Sequence, residues 1–462
     1  MCGKISLSKK TQNLLPKIVK DESGYALPYL LVTFLLVTTL LVLTINFFYI
    51  YNKYEIRKQN KKELDLACYS AVQQFIAKEK LDLSEEQIFL VDSTEVLLNC
   101  RQKGFYYSLT AKSKNKTDSS AVTCLLAEKA EDPFDNAVVI SRPGLNAVVA
   151  GSTKIVGNIL GTTDKVTKGK IFGIGQVSEN YHEGIVKASE KIFPKLFNDS
   201  VLTNVIFNAH DNVTSAVKVF DENVTIDKYF LARNDTATQL FINGDLTLTG
   251  SLTGNKKTKQ IFVSGKTTVE TKTVTDVDFE IYCDSTLTIN AEAVIENLLV
   301  SAKSKIKIGG NVLCKNVQFI SQKGIECENT VMNFPSILCL YVDPEDTSKQ
   351  RSTITINESR INGTIMLLAS DVASNKNKSR ILIDDKSKIQ GLIYSENNVG
   401  LSSSLTGVLY TYNIMFYKKP TQYINWLVNL NINRKKLDEL FLLPAGFAKS
   451  PKLEILKETW EY

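Results

Sequence analysis

Hydrophobic positions change their rhythm three times along this chain. From Ser23 to Asn52 there is no charged residue, and Leu30 to Ile50 forms a strongly apolar core of 21 residues. That length crosses a hydrocarbon layer as a helix. Tyr25 and Tyr29 mark one end, and Tyr49, Tyr51 and Tyr54 mark the other, the interfacial positions that tyrosines favour. A cleaved secretory signal has a shorter apolar region and small residues at its cut site. Here the run ends in "INFFYIYNKYE". Beyond Glu55 the apolar positions thin out to Leu64, Ala67, Cys68, Ala71, Val72, Phe75 and Ile76. Steps of three and four make one stripe of an amphipathic helix, so the span is expected to continue as a helical stalk.

From about Val138 to Tyr417 the period becomes two. "FINGDLTLTG", "QIFVSGKTTVETKTV", "KIKIGGNVLCKNVQFI" and "STITINESRINGTI" alternate apolar and polar residues between Gly, Asn, Asp, Ser and Lys turns. This is strand patterning. A weak repeat, apolar-x-Gly-x-apolar, occurs at Ile155–Ile159, Ile361–Ile365, Ile389–Ile393 and Leu405–Leu409. Short strand-turn units repeated over hundreds of residues encode a solenoid, in which each rung needs its neighbours to pair its edges. The last three glycines are 28 and then 16 residues apart, so the expected fold is an irregular parallel β-helix. A large β-sandwich is the alternative. The section also resembles bactofilin-type polymerising solenoids.

The pattern divides the chain into a basic leader (1–24), a transmembrane helix (25–52), an amphipathic helical stalk (53–92), a small β-rich connector (93–137), a β-solenoid (138–417) and a C-terminal cap or tail (418–462). The tail holds Trp426, Trp460 and a short helical pattern near Arg434–Leu443. It reads as a cover for an open solenoid end or as an assembly surface.

The stretch before the span adds a resemblance. A lysine-rich polar leader, then Gly24, then "YALPYLLVTFLLVTTLLVL" is similar to the N-terminal region of type IV pilin-like proteins, most of all the PilX-type minor pilins. The likeness covers roughly residues 17–76. It implies cleavage by a prepilin peptidase between Gly24 and Tyr25, a place in the inner (cytoplasmic) membrane of a bacterial envelope, and prepilin peptidase and other pilin subunits as partners besides the bilayer. Pilins that polymerise in bulk carry a glutamate at the fifth mature position. Tyr29 stands there in this chain, which implies a minor, tip-located or non-assembling component. Pro28 fits the first turn of a helix, where its missing N–H has no partner.

Composition and charge narrow the rest. With 462 residues, 44% hydrophobic and a net charge of +6, the chain can bury a large core in more than one domain. Five cations precede the span (Lys4, Lys9, Lys10, Lys17, Lys20) and five follow it (Lys53, Arg57, Lys58, Lys61, Lys62). The charge rule for orientation therefore ties. The long β-rich remainder leads to the expectation that the bulk of the chain is periplasmic or extracellular, where a surface polysaccharide is a further candidate partner.

Candidate chemistry is sparse. Eight cysteines show no C-x-x-C spacing, so no metal site is expected, and Cys2 has no preceding lipobox. Cys100 and Cys124 flank a strand pair; an exported location lets them form a disulfide, and two buried free thiols are the other reading. There are two histidines, His182 and His210, and no catalytic triad order, phosphate loop or H-E-x-x-H. Asp384-Asp385 and Asp343–Asp346 are the nearest acidic clusters, and turn chemistry accounts for both. No catalytic residue and no cofactor is expected. The dense basic run "RKQNKK" lies beside the span, where lipid headgroups explain it better than nucleic acid does. The function so read is a structural component of a type IV pilus or a related secretion or adhesion apparatus. The rivals are a membrane-tethered carbohydrate-active β-helix enzyme and a cytoplasmic bactofilin-like scaffold.

Overall fold

The computed structural model describes residues 26–78, 86–189, 197–207, 216–253, 258–342, 351–369, 379–438, 441–448 and 452–456. The acidic run at 343–346, His210 and Trp460 lie outside them.

The apolar span and the amphipathic stripe form one continuous helix, α1, Ala26–Ile76, of 51 residues. At 1.5 Å per residue it is about 77 Å long. The stripe read from the sequence becomes its docking face. Leu64, Ala67, Cys68, Ala71, Val72 and Phe75 are all buried. They pack on an antiparallel sheet of strands β1 (Gln87–Val91), β2 (Thr94–Lys103), β3 (Tyr106–Lys114) and β4 (Ser119–Glu128). Period two decides which side chains face the helix: Val96, Leu98 and Cys100 of β2 are buried, while their neighbours point away. Strand β1 lies within the stretch 53–92 that the pattern assigns to the stalk, so helix and sheet form one unit there.

The remainder is a parallel β-solenoid, and the sandwich alternative falls away. Among the described residues a single sheet of 29 strands runs rung on rung. Gln239 stacks on Gln260, then Glu280, Leu299 and Gln318, in steps of 21, 20, 19 and 19 residues. Interior rows of Ile, Leu and Val, such as Ile261, Ile281 and Val300, make one continuous core. Corners are held in the left-handed region by a row of successive residues: Lys272, Glu292, Asn311, Asn329 and Glu358 have φ of 61°, 60°, 59°, 46° and 49°. Neighbours in the row pair with one another, Asn329 Nδ2 donating to Asn311 Oδ1 at 2.7 Å and Lys272 meeting Glu292 at 3.5 Å. Such pairs offset a conformation that costs a non-glycine residue about 1 kcal/mol.

The glycine repeat is the second corner. Gly363, Gly391 and Gly407 stack in register on adjacent rungs, which accounts for the spacings of 28 and 16. The row resumes at Gly157 and Gly184. A Cβ on Gly391, where φ is +131°, would stand 2.0 Å from the carbonyl oxygen of Gly363.

Connectivity is less regular than geometry. The chain enters the solenoid at Val138–Ile140, winds outward to Val186–Ala188, reappears at the far end at Val217–Phe220, and winds back to Ser404–Lys418. There Tyr410 pairs with Val139 and Leu405 with Ile432. One rung is therefore built from two segments far apart in sequence. The described strands of the tail consequently lie within the ladder and beside the sheet, not over an open end. Asn431–Asn433 sits inside the ladder, between Ser404–Lys418 and Lys154–Val156, and Leu453–Ile455 adds a fifth strand to the antiparallel sheet beside β4. The helical pattern near Arg434–Leu443 forms turns among its described residues. Its apolar residues Leu437, Phe441, Leu442 and Leu443 are drawn into the core between sheet and solenoid.

Candidate membrane-anchoring and assembly site

The first thirty residues of α1 pack on no other element among the described residues. Every large apolar side chain from Leu27 to Ile56 is more than half exposed. Soluble surfaces rarely leave a contiguous apolar patch larger than a few hundred Å2, and larger ones mark membrane or protein contacts. Its polar groups are handled as lipid requires. The hydroxyls of Thr33, Thr38, Thr39 and Thr44 each donate to the carbonyl four residues back, at 2.9, 2.8, 2.7 and 2.7 Å. A hydroxyl so bonded presents no unpaired donor to hydrocarbon. Phe47 stacks on Tyr51 at 6.4 Å toward the end where charge begins. The helix is long and apolar enough to cross a membrane.

Tyr29 lies on the first turns of α1 with 77% of its surface exposed, so whatever meets that position is not part of this chain's described structure. Gly24 and Tyr25, the candidate cleavage pair, lie outside the described residues.

The other end of α1 is latched. The Sγ of Cys68 donates to the Ser113 hydroxyl at 3.2 Å, that hydroxyl donates to the Leu64 carbonyl at 3.2 Å, and Asp65 accepts from the Ser120 hydroxyl. The sheet is in turn fixed to the solenoid. Lys103 pairs with Asp278 at 2.6 Å and Arg101 with Glu280 at 3.2 Å, while the backbone N–H of Phe105 donates to Gln318 Oε1 at 2.7 Å. The buried carboxylate of Glu128, at the end of β4, accepts from the N–H groups of Gly446, Phe447 and Ala448 at 2.7, 3.0 and 2.9 Å. Burial pushes its carboxyl above the usual range against those three donors. The ring of Phe447 meets Tyr394, Phe134 and Phe197 at 4.9, 5.0 and 5.3 Å. Sequence reasoning overlooked Glu128; its signal was a lone acid closing the apolar run "CLLAEKA".

Cys100 and Cys124 are free thiols in the structure. Leu109 of β3 pairs with both, so one strand lies between them. Two strand spacings place their Cα atoms roughly 9–10 Å apart, beyond the reach of a disulfide. Burial raises each thiol to about 12. Both are expected to resist iodoacetamide at pH 8 in the native protein and to be labelled fully, without reductant, once unfolded. Mass spectrometry of labelled peptides reads the result, and a labelled fraction near zero in the unfolded chain would restore the disulfide.

The remaining candidates are taken up locally. His182 Nε2 lies 3.0 Å from the Gly157 carbonyl on the neighbouring rung. Asp384 Oδ1 accepts from the Ser387 N–H at 2.9 Å and Oδ2 from the Glu358 N–H at 3.0 Å, which holds a corner.

No protein-family model matches the chain, and no curated protein matches it. Among solved structures it is similar to the competence-associated pilin ComZ from Thermus thermophilus, with 10% identity and a TM-score of 0.19 over 88% of this chain and 96% of that one. A superposition that loose carries no argument, and the functional reading rests on the helix, the sheet and the solenoid themselves.

Proposed function

We propose that the chain is a membrane-anchored structural component of a type IV pilus or a related secretion or adhesion apparatus, a minor-pilin or pseudopilin-like subunit of PilX type. Its helix would sit in the cytoplasmic membrane and its β-rich part outside the cytoplasm, for assembly or adhesion. The observation that carries this reading is α1 itself: bare and apolar over its first thirty residues, then locked through Leu64–Phe75 into a sheet bolted to the solenoid. A tether needs only the span. A rigid continuation of the span into the folded body transmits force and orientation, which an assembled subunit uses. Tyr29 in place of the usual acid supports a terminal or sparse position rather than bulk polymerisation. The component is read as non-catalytic, since Asp384 and His182 are committed to corner and rung contacts.

Processing tests it. The mature chain is expected to begin at Tyr25 in cells with a prepilin peptidase and at Met1 in cells without one. Gly24→Val is expected to block the cut while membrane insertion stays intact, because glycine leaves the backbone open to the protease at the membrane edge. N-terminal sequence and intact mass are the readouts. A mature protein that still begins at Met1 in cells that process other prepilins would leave an ordinary single-span anchor.

A further inference from the structure

A groove of about 540 Å3 opens on the flank of the solenoid, within the size range of small-molecule sites. Register places Arg380, Asn398 and Asn413 in one row across three adjacent rungs. Asn413 Nδ2 donates to Asn398 Oδ1 at 2.9 Å, and Arg142 Nη1 donates to Asn413 Oδ1 at 3.1 Å. The hairpin of Ser404–Lys418 with Thr421–Ile424 forms one wall and contributes Gln422 and Tyr417, the latter 65% exposed. Gly400 leaves the floor without a side chain.

Three guanidinium groups, those of Arg142, Arg351 and Arg380, line this space. None forms an ion pair with a carboxylate among the described residues. The Nε of Arg380 is buried and has no hydrogen-bond partner among the described residues. Burial, and then the charge of Arg351, hold the Arg380 guanidinium below its ordinary pKa. Two like charges facing one cleft, one of them partly desolvated, are an arrangement that an anion relieves. Among the described residues the one lining carboxylate, Asp384, is spent on its turn.

We propose that this groove binds a carboxylated sugar, such as a hexuronate unit of an acidic polysaccharide. A guanidinium fork matches a carboxylate with two parallel hydrogen bonds. The row of side-chain amides offers donors and acceptors together, as neighbouring hydroxyls require. The exposed ring of Tyr417 supplies a flat apolar surface for a pyranose face. A site for bare phosphate would need donors only. The proposal deepens the adhesive half of the function above, and it can fail alone, because binding in solution requires neither processing nor assembly.

Titration calorimetry of the full chain in detergent micelles tests it with trigalacturonate, the fully methyl-esterified trimer, inorganic phosphate and a thymidine oligonucleotide. Trigalacturonate is expected to bind at least tenfold tighter than its ester, and tighter than phosphate or the oligonucleotide. Arg380→Gln should weaken it at least tenfold and the exposed Arg351→Gln about fivefold, with Lys266→Gln, away from the groove, unchanged. Arg351→Gln guards against misfolding of the more buried variant. Equal affinity for acid and ester, tighter binding of phosphate or oligonucleotide, undiminished affinity in Arg351→Gln, or no heat from trigalacturonate would each overturn the assignment.

Discussion

Replacing Gly391 with valine is expected to abolish the folded solenoid. The added Cβ would lie 2.0 Å from the Gly363 carbonyl oxygen and 2.9 Å from a ring carbon of Phe441, at a φ of +131° that a β-branched residue does not adopt. The obstructing oxygen belongs to a ladder backbone and cannot rotate away, so relief requires parting two rungs. The cost is at least about 4 kcal/mol, a large share of the stability of an ordinary domain. Loss of the cooperative β-type melt by circular dichroism, or collection in inclusion bodies, is the expected result. Gly310→Ala provides the contrast, since a Cβ there meets nothing within 4 Å and φ is ordinary. Its stability should stay within about 0.5 kcal/mol of the parent. A Gly391→Val protein melting within two degrees of the parent, by a rough scale of 2–4 °C per kcal/mol, would show that the corner yields freely.

The second large effect belongs to the helix. Leu36 and Leu40 lie near the middle of the charge-free run and are each 60% exposed. Two lysines there, Leu36→Lys with Leu40→Lys, cost about 3 kcal/mol apiece to insert, near 6 kcal/mol together. The doubly substituted chain is expected to leave the membrane pellet, with its β-type spectrum unchanged because neither side chain touches the sheet. Leu66→Lys, exposed but beyond the span, should remain in the pellet. Full retention of the double variant after an alkaline wash would remove the anchor.

How much the chain disclosed in advance depends on the range of each interaction. The stripe Leu64–Phe75 was legible because a helix sets its facing residues by local spacing alone. The strands were legible for the same reason, and the glycine motif survived its irregular spacing because the steric demand at Gly363, Gly391 and Gly407 is identical whatever the loops between them do. The partner of Val139 had no such signal. Its pairing with Tyr410 depends on where the chain re-enters, and no local pattern records that. The same holds for the groove, where Arg142 joins Arg351 and Arg380 only when the two windings meet. Cys100 and Cys124 left a disulfide and two buried free thiols both open, because the intervening β3 that separates them was not legible.

The rung shared by the two windings also sets a clock. Ser141 hydrogen-bonds to a carbonyl 270 residues later in the chain. At synthesis rates of about 5–20 residues per second, roughly 15–55 s pass between the emergence of one partner and the other. Throughout that interval the early rungs carry an unpaired strand edge, the kind that recruits other chains into aggregates. The number of folding chains held at once, rather than the stability of the finished protein, is then the quantity that limits yield. Slower initiation or a holding chaperone should raise it where added salt bridges would not.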